Sequence, residues 1–476
     1  MSKILIGPIG LLFIVACNTH QKTKATSEIP TQAAAPAQTA ASPVSHMEFK
    51  GDLEPYPGMK IHSYKLDNGM SVFLVPRQQN GTVALTIGYR VGSRFEETGK
   101  TGLAHLFEHM MFRGTESFPQ PFATLQEWGG ESNAFTTSDQ TVYYEMAPAT
   151  KLDDVLRFES ERMRKLLITP TVFNTERGAV VSERKMNYED APGGRVIFEL
   201  YQLAYDKHPY KTLPIGWQED IDKATFEDAL SFYNRYYVPN RATLALVGDI
   251  DNDKAVALID KYFGKYKASD MKDPVNATEN PYHKSKKKTV HLKAQSVIIS
   301  RAVTGPEASN PKAAAEFFFC VLMADPELGY LRHTLVEQNI ARSTAGSCYP
   351  EVEPGLSTIR IIGVPGVKSS VIEQKYKEAW KGFLKWAKGD RFENNKKLFE
   401  TSQLESLRNP ISLAQTLATN NTTTGNPLYT FDLVEKVKKL KFEEIVERYK
   451  DWSKRGETKI ILEPSEKNDP MKKGKI

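Results

Sequence analysis

Apolar and polar positions along the chain first predict strands and then a short helix. Residues 59–77 alternate on either side of Asp67-Asn68-Gly69, a turn sequence that favours a β-hairpin. Residues 82–90 repeat the alternation and predict a further strand. Residues 103–112 change to the spacing of an amphipathic helix, and Arg113-Gly114-Thr115 ends it. A short helix is therefore expected to follow a strand.

The remaining periodic segments form two sets with a similar mix of elements. In the first half, we expect helices at 152–165, 170–187 and 227–237 and a strand at 243–247. In the second half, we expect strands at 290–299 and 358–364 and helices at 311–323, 372–388 and 392–407. The 476-residue chain is long enough for more than one buried core, and no short repeat indicates a solenoid.

Composition changes divide the chain into five predicted segments. Residues 1–17 form a signal segment, 18–50 a flexible tether, 51–268 an N-terminal domain, 269–288 a linker and 289–476 a C-terminal domain. The tether is rich in Thr, Ala, Pro, Ser and Gln, so it cannot bury enough apolar surface to offset its ordering entropy.

The N-terminus has the features of an export signal. Lys3 precedes an apolar run at 4–16, which is too short to span a bilayer as a stable helix. The run ends in Ile14-Val15-Ala16-Cys17, which resembles a bacterial lipobox, and this resemblance implies that Cys17 is lipidated. Asn18 after it implies transit to the outer membrane of a Gram-negative bacterium. The alternatives are an ordinary cleaved signal with an incidental Cys, or a buried apolar segment.

Net charge bears on the binding partners of the protein, and the cysteine content on its disulfides. The net charge of +5 is small for this length and no Arg-rich face accompanies it, so nucleic acid is not an expected partner. The basic run at 284–288 is either a solvated linker or a binding patch. Cys320 and Cys348 would lie in an oxidising compartment, where they either pair or remain two separate buried thiols.

The helix at 103–112 carries a metal-ligand pattern. His105 and His109 are four residues apart, so both imidazoles project from one helix face and can bind one ion. Glu108 lies beside them and can take a proton from water whose pKa zinc lowers. The order H-x-x-E-H is the inverse of the common zinc-peptidase order. The alternative is a pair of surface histidines beside a salt-bridging Glu.

A third ligand is available in the helix predicted at 170–187. Glu176 and Glu183 are seven residues apart, so they share one helix face. One can ligate the metal while the other hydrogen-bonds a ligand histidine. Paired Glu residues on a helix are usually solvent-facing, which is the alternative here.

These residues together resemble the pitrilysin/insulysin (M16) family of zinc peptidases, which includes the mitochondrial processing peptidases. The chain is similar to that family in H-x-x-E-H followed 74 residues later by Glu183, and in several further stretches at family-like spacing. These stretches are 66–75, 92–97, 133–144, His208-Pro209-Tyr210, 236–240 and Val247-Gly248-Asp249. The similarity is strong across 55–265 and weaker across 290–465.

The resemblance implies a fold, a cofactor and roles for site residues. The implied fold is α+β, with two homologous domains, each a mostly antiparallel sheet flanked by helices, forming half of a clamshell. His105, His109 and Glu183 are the implied ligands of one Zn2+ per chain, Glu108 the general base, and Glu176 the support of a ligand histidine. These residues place the peptidase site in the N-terminal domain and make the C-terminal domain an inactive homologue.

The resemblance also implies a substrate-binding strand. Peptide substrate would lie as an added antiparallel strand along Asn133, Ala134 and Phe135, through main-chain pairing with little sequence demand. The alternative is an ordinary paired strand.

One departure from the family concerns an Arg and a Tyr seven residues apart that hold substrate and stabilise the oxyanion. The matching positions here are Leu335 and Arg342. Three explanations are open: a shifted alignment, substitution by Arg332 or Arg342, or an Arg/Tyr pair supplied by a homologous subunit, which we favour.

The sequence thus predicts the catalytic subunit of a zinc endopeptidase that hydrolyses unstructured peptides or small proteins. Its predicted location is the bacterial periplasm, with an N-terminal lipid in the outer membrane. The alternative function is a non-catalytic structural or binding lipoprotein of the same fold.

Overall fold

The computed structural model describes residues 46–78 and 80–471. The predicted signal segment, the lipidation site Cys17 and most of the predicted tether lie outside these residues. Within this part of the chain, every helix is too short or too polar to cross a bilayer.

The N-terminal half builds a seven-stranded sheet in the order β1-β2-β3-β7-β4-β6-β5. Its strands are β1 (Met47–Leu53), β2 (Ile61–Leu66), β3 (Ser71–Pro76), β4 (Thr82–Tyr89), β5 (Glu131–Thr136), β6 (Thr141–Pro148) and β7 (Ala242–Gly248). Its helices are α1 (Leu103–Met110), α2 (Pro121–Glu127), α3 (Leu152–Arg164), α4 (Pro170–Arg184), α5 (Pro192–Ala204), α6 (Gln218–Lys223), α7 (Phe226–Tyr236) and α8 (Asn252–Phe263). Only the β3–β7 pairing is parallel among the described strand pairs of this sheet.

The C-terminal half builds a five-stranded sheet in the order β10-β11-β9-β12-β8. Its strands are β8 (Lys286–Leu292), β9 (Ile298–Thr304), β10 (Ala341–Ser347), β11 (Leu356–Gly363) and β12 (Thr458–Pro464). Its helices are α9 (Ala313–Ala324), α10 (Ser369–Ala387), α11 (Asp390–Ser406), α12 (Pro410–Thr424), α13 (Tyr429–Lys439) and α14 (Phe442–Trp452). The predicted fold class is confirmed: the chain is α+β, with two open, mostly antiparallel sheets flanked by helices.

The turn between β2 and β3 forms where the sequence places it. The strands pair antiparallel from His62 opposite Leu74 to Lys65 opposite Ser71. Gly69 has φ +87°, and a Cβ there would lie 2.8 Å from the Cβ of Asn240. Glycine is therefore required both by the backbone conformation and by the close approach of a second segment. The hairpin prediction is confirmed.

Each sheet has one face covered by helices of its own half. In the N-terminal half, α1, α3, α7 and α8 pack on the sheet around residues such as Leu85, Tyr143 and Leu244, none more than 1% exposed. In the C-terminal half, α9, α10, α13 and α14 cover Ile299, Ile359 and Ile361 in the same manner.

The opposite faces are covered by an exchange of helices between the halves. Helix α12 comes from the C-terminal half, yet its Leu413 and Leu417 pack on the N-terminal sheet against Phe73 and Val247. Helix α5 comes from the N-terminal half and packs Val196, Leu200 and Ala204 on the C-terminal sheet, against residues of β8, β9 and β12. Apolar burial therefore joins the two halves twice, because each sheet depends on the other half for one of its covers.

A buried polar cluster joins the halves at a third place. Arg94 donates to Asp139 at 2.7 Å and to Glu353 at 2.9 Å, and Tyr210 donates to Asp139 at 2.9 Å. His208 contacts the other oxygen of Glu353 at 2.5 Å. Arg94 and Asp139 are 3% and 5% exposed, so removing Arg94 would leave the buried Asp139 carboxyl without its counter-ion. Residues 92–97, 133–144 and 208–210, three of the stretches behind the family resemblance, thus contribute to the junction between the halves.

Several boundaries differ from the sequence-based expectation. Residues 47–50 belong to β1, an edge strand whose mostly exposed residues carry little alternation, although the tether was expected to reach residue 50. The single strand expected at 290–299 is two strands, β8 and β9, which lie on either side of β12 in the sheet. Lys286, Lys287 and Lys288 begin β8, because pairing with β12 offsets their weak strand preference. Cys320 and Cys348, whose pairing the sequence leaves open, form a disulfide.

Candidate metal centre and cavity

Helix α1 is held in place by a carboxyl side chain at its N-terminus. Glu96 accepts the N–H of Gly102 at 2.9 Å and that of Ala104 at 2.8 Å. Gly102 has φ +91°, and a Cβ there would lie 3.0 Å from Ile221. The first turn of the helix has unpaired N–H groups, and the two carboxyl oxygens of Glu96 accept from two of them. Burial raises the pKa of Glu96 to about 8. The position of α1 therefore depends on Glu96 and on a glycine that lets the chain turn tightly.

Helices α1 and α4 bring the predicted ligands together. On α1, Leu106, Phe107 and Met110 face the core, which leaves His105 and His109 on the side that faces α4. On α4, the residues that face α1 are Phe173, Glu176, Val180 and Glu183, which follow one another at spacings of three, four and three positions. The residue spacing on each helix thus places two imidazoles of α1 opposite two carboxyl groups of α4.

His105, His109 and Glu183 converge at one point. One ligand atom from each residue lies within 4.8 Å of the others, and no other group of three His, Cys, Asp or Glu does so in the part of the chain that the structure describes. A Glu183 oxygen lies 3.3 Å from His109 Nε2 and 3.8 Å from His105 Nε2. Ligand atoms about 2.0–2.1 Å from a tetrahedral zinc ion are about 3.3 Å apart. The nitrogen and oxygen donors therefore fit zinc in chemistry, and the spacing of Glu183 and His109 matches that of two zinc ligands.

The ionisation of these groups also suits a cation. Burial lowers the pKa of His105 to about 4, and the neighbouring His109 adds to this effect, so His105 is a neutral donor. Burial disfavours the charged form of His109, but Glu176 and Glu183 outweigh it and raise its pKa to about 9. Burial likewise opposes ionisation of Glu183, yet its contacts with the two histidines hold its pKa below the usual range. A bound cation would take the place of the proton on His109.

Glu108 and Glu176 lie on either side of this group with different partners. Glu108 accepts a hydrogen bond from Thr136 of β5 at 2.5 Å, and burial raises the pKa of Glu108 to about 7. Glu176 is 3% exposed, and one of its oxygens lies 3.5 Å from His109 Nδ1 while the other contacts Arg113. Glu176 therefore contacts the ring nitrogen of His109 that faces away from Glu183, which would fix the orientation of the imidazole.

The group opens into a cavity of about 410 Å³ between the two halves of the chain. His105, Glu108 and Glu183 line one wall, and residues of β10, β11 and α12 line the other. Ala134 and Phe135 of β5 also line it, whereas Asn133 is exposed and its side-chain oxygen accepts the N–H of Ala134 at 2.8 Å. Strand β5 is the last strand of its sheet, so its outer edge is available for a further strand.

The residues that the sequence suggests in place of the family's Arg/Tyr pair lie outside the cavity. Leu335 is fully buried in the C-terminal core, Arg332 contacts Glu337 and the carbonyl of Pro326, and Arg342 is exposed on β10. Neither Arg332 nor Arg342 lines the cavity, whereas Arg360 of β11 does. Neither of the two arginines close to Leu335 in sequence therefore stands in for the missing pair.

Four residues of the site carried no signal of their own in the sequence. Glu96, Arg113 and Thr136 act through contacts with the motif, and Arg360 reaches the cavity only through the packing of the two halves. Thr136 and Glu96 lie in stretches that supported the resemblance, 133–144 and 92–97. A single sequence gives no reason to select Arg113 and Arg360 from many similar charged residues.

Comparisons with known proteins identify relatives of this chain. The family model described as "Insulinase (Peptidase family M16)" matches residues 72–213, and the model described as "Peptidase M16 inactive domain" matches residues 223–389. The zinc protease PqqE of Helicobacter pylori is 30% identical over 362 residues, which cover 73% of this chain and 81% of that protein. A probable mitochondrial-processing peptidase subunit beta of Schizosaccharomyces pombe is 29% identical over 213 residues, 44% of this chain and 46% of that protein.

The fold has a close counterpart among solved structures. The crystal structure of a protease from Helicobacter pylori superposes with a TM-score of 0.80 at 24% identity, covering 85% of this chain and all of that one. The fold is therefore shared over nearly the whole of the described chain. The sequence match to the mitochondrial subunit, by contrast, spans about half the length of that relative.

Substituting Glu176 tests how the ligand histidine is held. We expect Glu176→Gln to weaken zinc binding about 10- to 100-fold, because His109 loses the charged partner of its second ring nitrogen. Zinc affinity is measured by competition with a chromophoric chelator. Glu227→Gln, at an exposed position on α7, is the matched control and should bind zinc like the unmodified protein. Equal affinity in Glu176→Gln and Glu227→Gln would mean that Glu176 does not orient His109.

Proposed function

Because this chain belongs to the insulinase peptidase family, M16, we propose that it is a zinc-dependent endopeptidase acting on unstructured peptides or small proteins. The observation that carries the proposal is the convergence of His105, His109 and Glu183 beside Glu108, at the wall of a cavity. These four residues all lie within 72–213, the range that matches the insulinase family model rather than the model described as an inactive domain.

The residues around the metal group have separable roles in this proposal. When held by His105, His109 and Glu183, zinc supplies Lewis-acid polarisation of a carbonyl and lowers the pKa of water. Glu108 takes the proton of the attacking water and returns it to the leaving amine. Thr136 holds the Glu108 carboxylate toward β5, and Glu176 orients His109. The chain itself therefore provides the ligands, the base and the groups that position them.

Substrate is proposed to pair with the outer edge of β5. Helix α1 packs against β5, so a peptide added there would run beside Glu108. The backbone of Asn133, Ala134 and Phe135 would supply the pairing, and Ala134 and Phe135 already line the cavity. Such pairing requires an extended segment, which is why we propose unstructured peptides rather than folded proteins as substrates.

Replacing Glu108 tests the mechanism directly. We expect Glu108→Gln to lower kcat for an unstructured peptide about 100- to 10,000-fold while zinc content is unchanged, because the amide cannot accept the proton. Hydrolysis is followed with an internally quenched fluorescent peptide, and zinc is measured by elemental mass spectrometry. Glu227→Gln again serves as the control with unchanged activity. Full activity in Glu108→Gln would overturn the proposed mechanism.

The same peptide assay shows whether the chain acts alone. We propose that a homologous subunit supplies an Arg/Tyr pair, since Leu335 is buried and Arg342 lies outside the cavity; a relative in the family carries "subunit beta" in its name. Loss of one oxyanion donor typically slows acyl transfer about 100- to 1,000-fold. The chain alone should therefore be at least about tenfold slower than the chain with a co-purifying homologue. Equal rates would exclude the second subunit.

A non-catalytic binding lipoprotein is the second candidate function. The absence of Arg332 and Arg342 from the described residues that line the cavity is the observation that favours it. Zinc content separates the two candidates, because a binding role does not require the metal. Intact protein purified without zinc would support the binding role.

We propose that the protein is anchored to the outer membrane through Cys17 and works in the periplasm. The lipobox-like sequence before Cys17 supports this, and the Cys320–Cys348 disulfide is the kind of bond that persists in an oxidising compartment. The unmodified protein should therefore sediment with outer-membrane fractions on a density gradient, and Cys17→Ser should not. Unmodified protein in the soluble periplasmic fraction would contradict the anchor.

A further inference from the structure

Arg360 occupies the wall of the cavity opposite the metal group. In the C-terminal sheet it is paired with Ser300 of β9 and Ala345 of β10, and all three residues line the cavity. Ile359 and Ile361, on either side of it, point to the other face and are fully buried in the core. The two-residue period of the strand thus fixes which face Arg360 is on.

The small neighbours of Arg360 leave its guanidinium uncovered. Helix α5 covers this face of the sheet over β8, β9 and β12, but the part formed by β10 and β11 opens into the cavity. Ser300 and Ala345 are too short to cover a long side chain beside them. Arg360 is therefore partly buried and lines the cavity.

Arg360 is the only Lys or Arg among the described residues that line the cavity. Its side chain makes no hydrogen bond, ion pair or aromatic contact with any other residue in 46–78 or 80–471. Burial lowers the pKa of Arg360, and no carboxylate of the described chain lies close enough to oppose this. Arginine nevertheless stays charged at neutral pH, so a partly desolvated cation with five N–H donors faces the cavity.

No acidic residue of the same cavity, within the described chain, pairs with Arg360. Glu108 accepts from Thr136, and Glu183 contacts the two histidines. Asp139 is held by Arg94 and Tyr210. Burial raises the pKa of Glu351 to about 8, so this carboxyl is mostly protonated at neutral pH. None of them serves as the counter-ion of Arg360.

We propose that Arg360 binds a carboxylate of the substrate, so that the cavity prefers peptides that carry an acidic side chain or a free C-terminus at a set distance from the cleaved bond. A guanidinium and a carboxylate form two parallel charged hydrogen bonds, which makes this pair stronger and more directional than a neutral one. The inference rests on the proposed peptidase function and adds a substrate class to it. A peptide lying on β5 would face β11 across the cavity, so one substrate can engage both walls.

Peptide pairs that differ by a single charge test the preference. Uncharged, C-terminally amidated peptides receive one Glu at successive positions, and each is compared with its Gln counterpart; a further pair compares a free C-terminus with the amide. The enzyme is the full-length, zinc-loaded protein, with its homologous subunit if activity requires one. At one position or at the terminus, we expect kcat/KM to be about tenfold or more higher for the carboxylate, mainly through KM.

Three variants of Arg360 and one control decide the assignment. Arg360→Gln should remove the preference, Arg360→Lys should retain part of it, and Arg360→Glu should favour peptides with Lys at the same position. Arg342→Gln, at an exposed arginine on the neighbouring strand, should leave the preference intact. The thermal midpoint of each variant is measured to confirm folding.

The outcomes separate this proposal from the function on which it rests. Cleavage of all peptides with Glu/Gln and acid/amide ratios near one would overturn the role of Arg360 and leave the peptidase function standing. A preference that persists in Arg360→Gln would overturn that role as well. If the intact enzyme cleaves none of the peptides, the peptidase function itself fails. A response to the free terminus but not to Glu would identify the terminal carboxylate as the ligand.

Discussion

Each half of this chain covers one face of the other half's sheet, and the cavity exists because of that exchange. Helix α12 packs on the N-terminal sheet and α5 on the C-terminal sheet, so neither half can bury its apolar surface alone. The contacts of Arg94 with Asp139 and Glu353 join the halves again beside β5. The halves are thereby held with the metal group on one wall and β10 and β11 on the other.

This arrangement explains why the candidate metal ligands come from one half of the chain and the substrate-binding residues from both. The three candidate ligands come from two helices of one half, α1 and α4, which pack directly against each other. The groups that would select substrate come from both halves: the β5 edge with Ala134 and Phe135, and Arg360 across the cavity. Metal binding is therefore a local property of the N-terminal half, while substrate choice depends on how the two halves are held together.

Local sequence patterns predict much of this structure but not the assembly of the halves. The β2–β3 hairpin, α1 and the facing residues of α4 follow from turn chemistry and periodicity, since each depends on contacts within a few residues. The same reasoning wrongly predicts one strand where β8 and β9 form, and it extends the tether into β1. It fails there because β8 is stabilised by pairing with β12, and β1 by pairing with β2. Arg360 resembles any other charged strand residue until the fold places it at the cavity. The role of Glu96 becomes visible only once α1 begins against it.

X-ray absorption at the zinc edge of the intact protein tests the central claim most directly. The account predicts one zinc ion per chain, with two imidazole nitrogens and further oxygen donors at about 2.0–2.2 Å, and loss of the ion in His109→Ala. A spectrum with sulfur ligands, or protein that binds no zinc when supplied with it, would contradict the assignment of His105, His109 and Glu183 as the metal site.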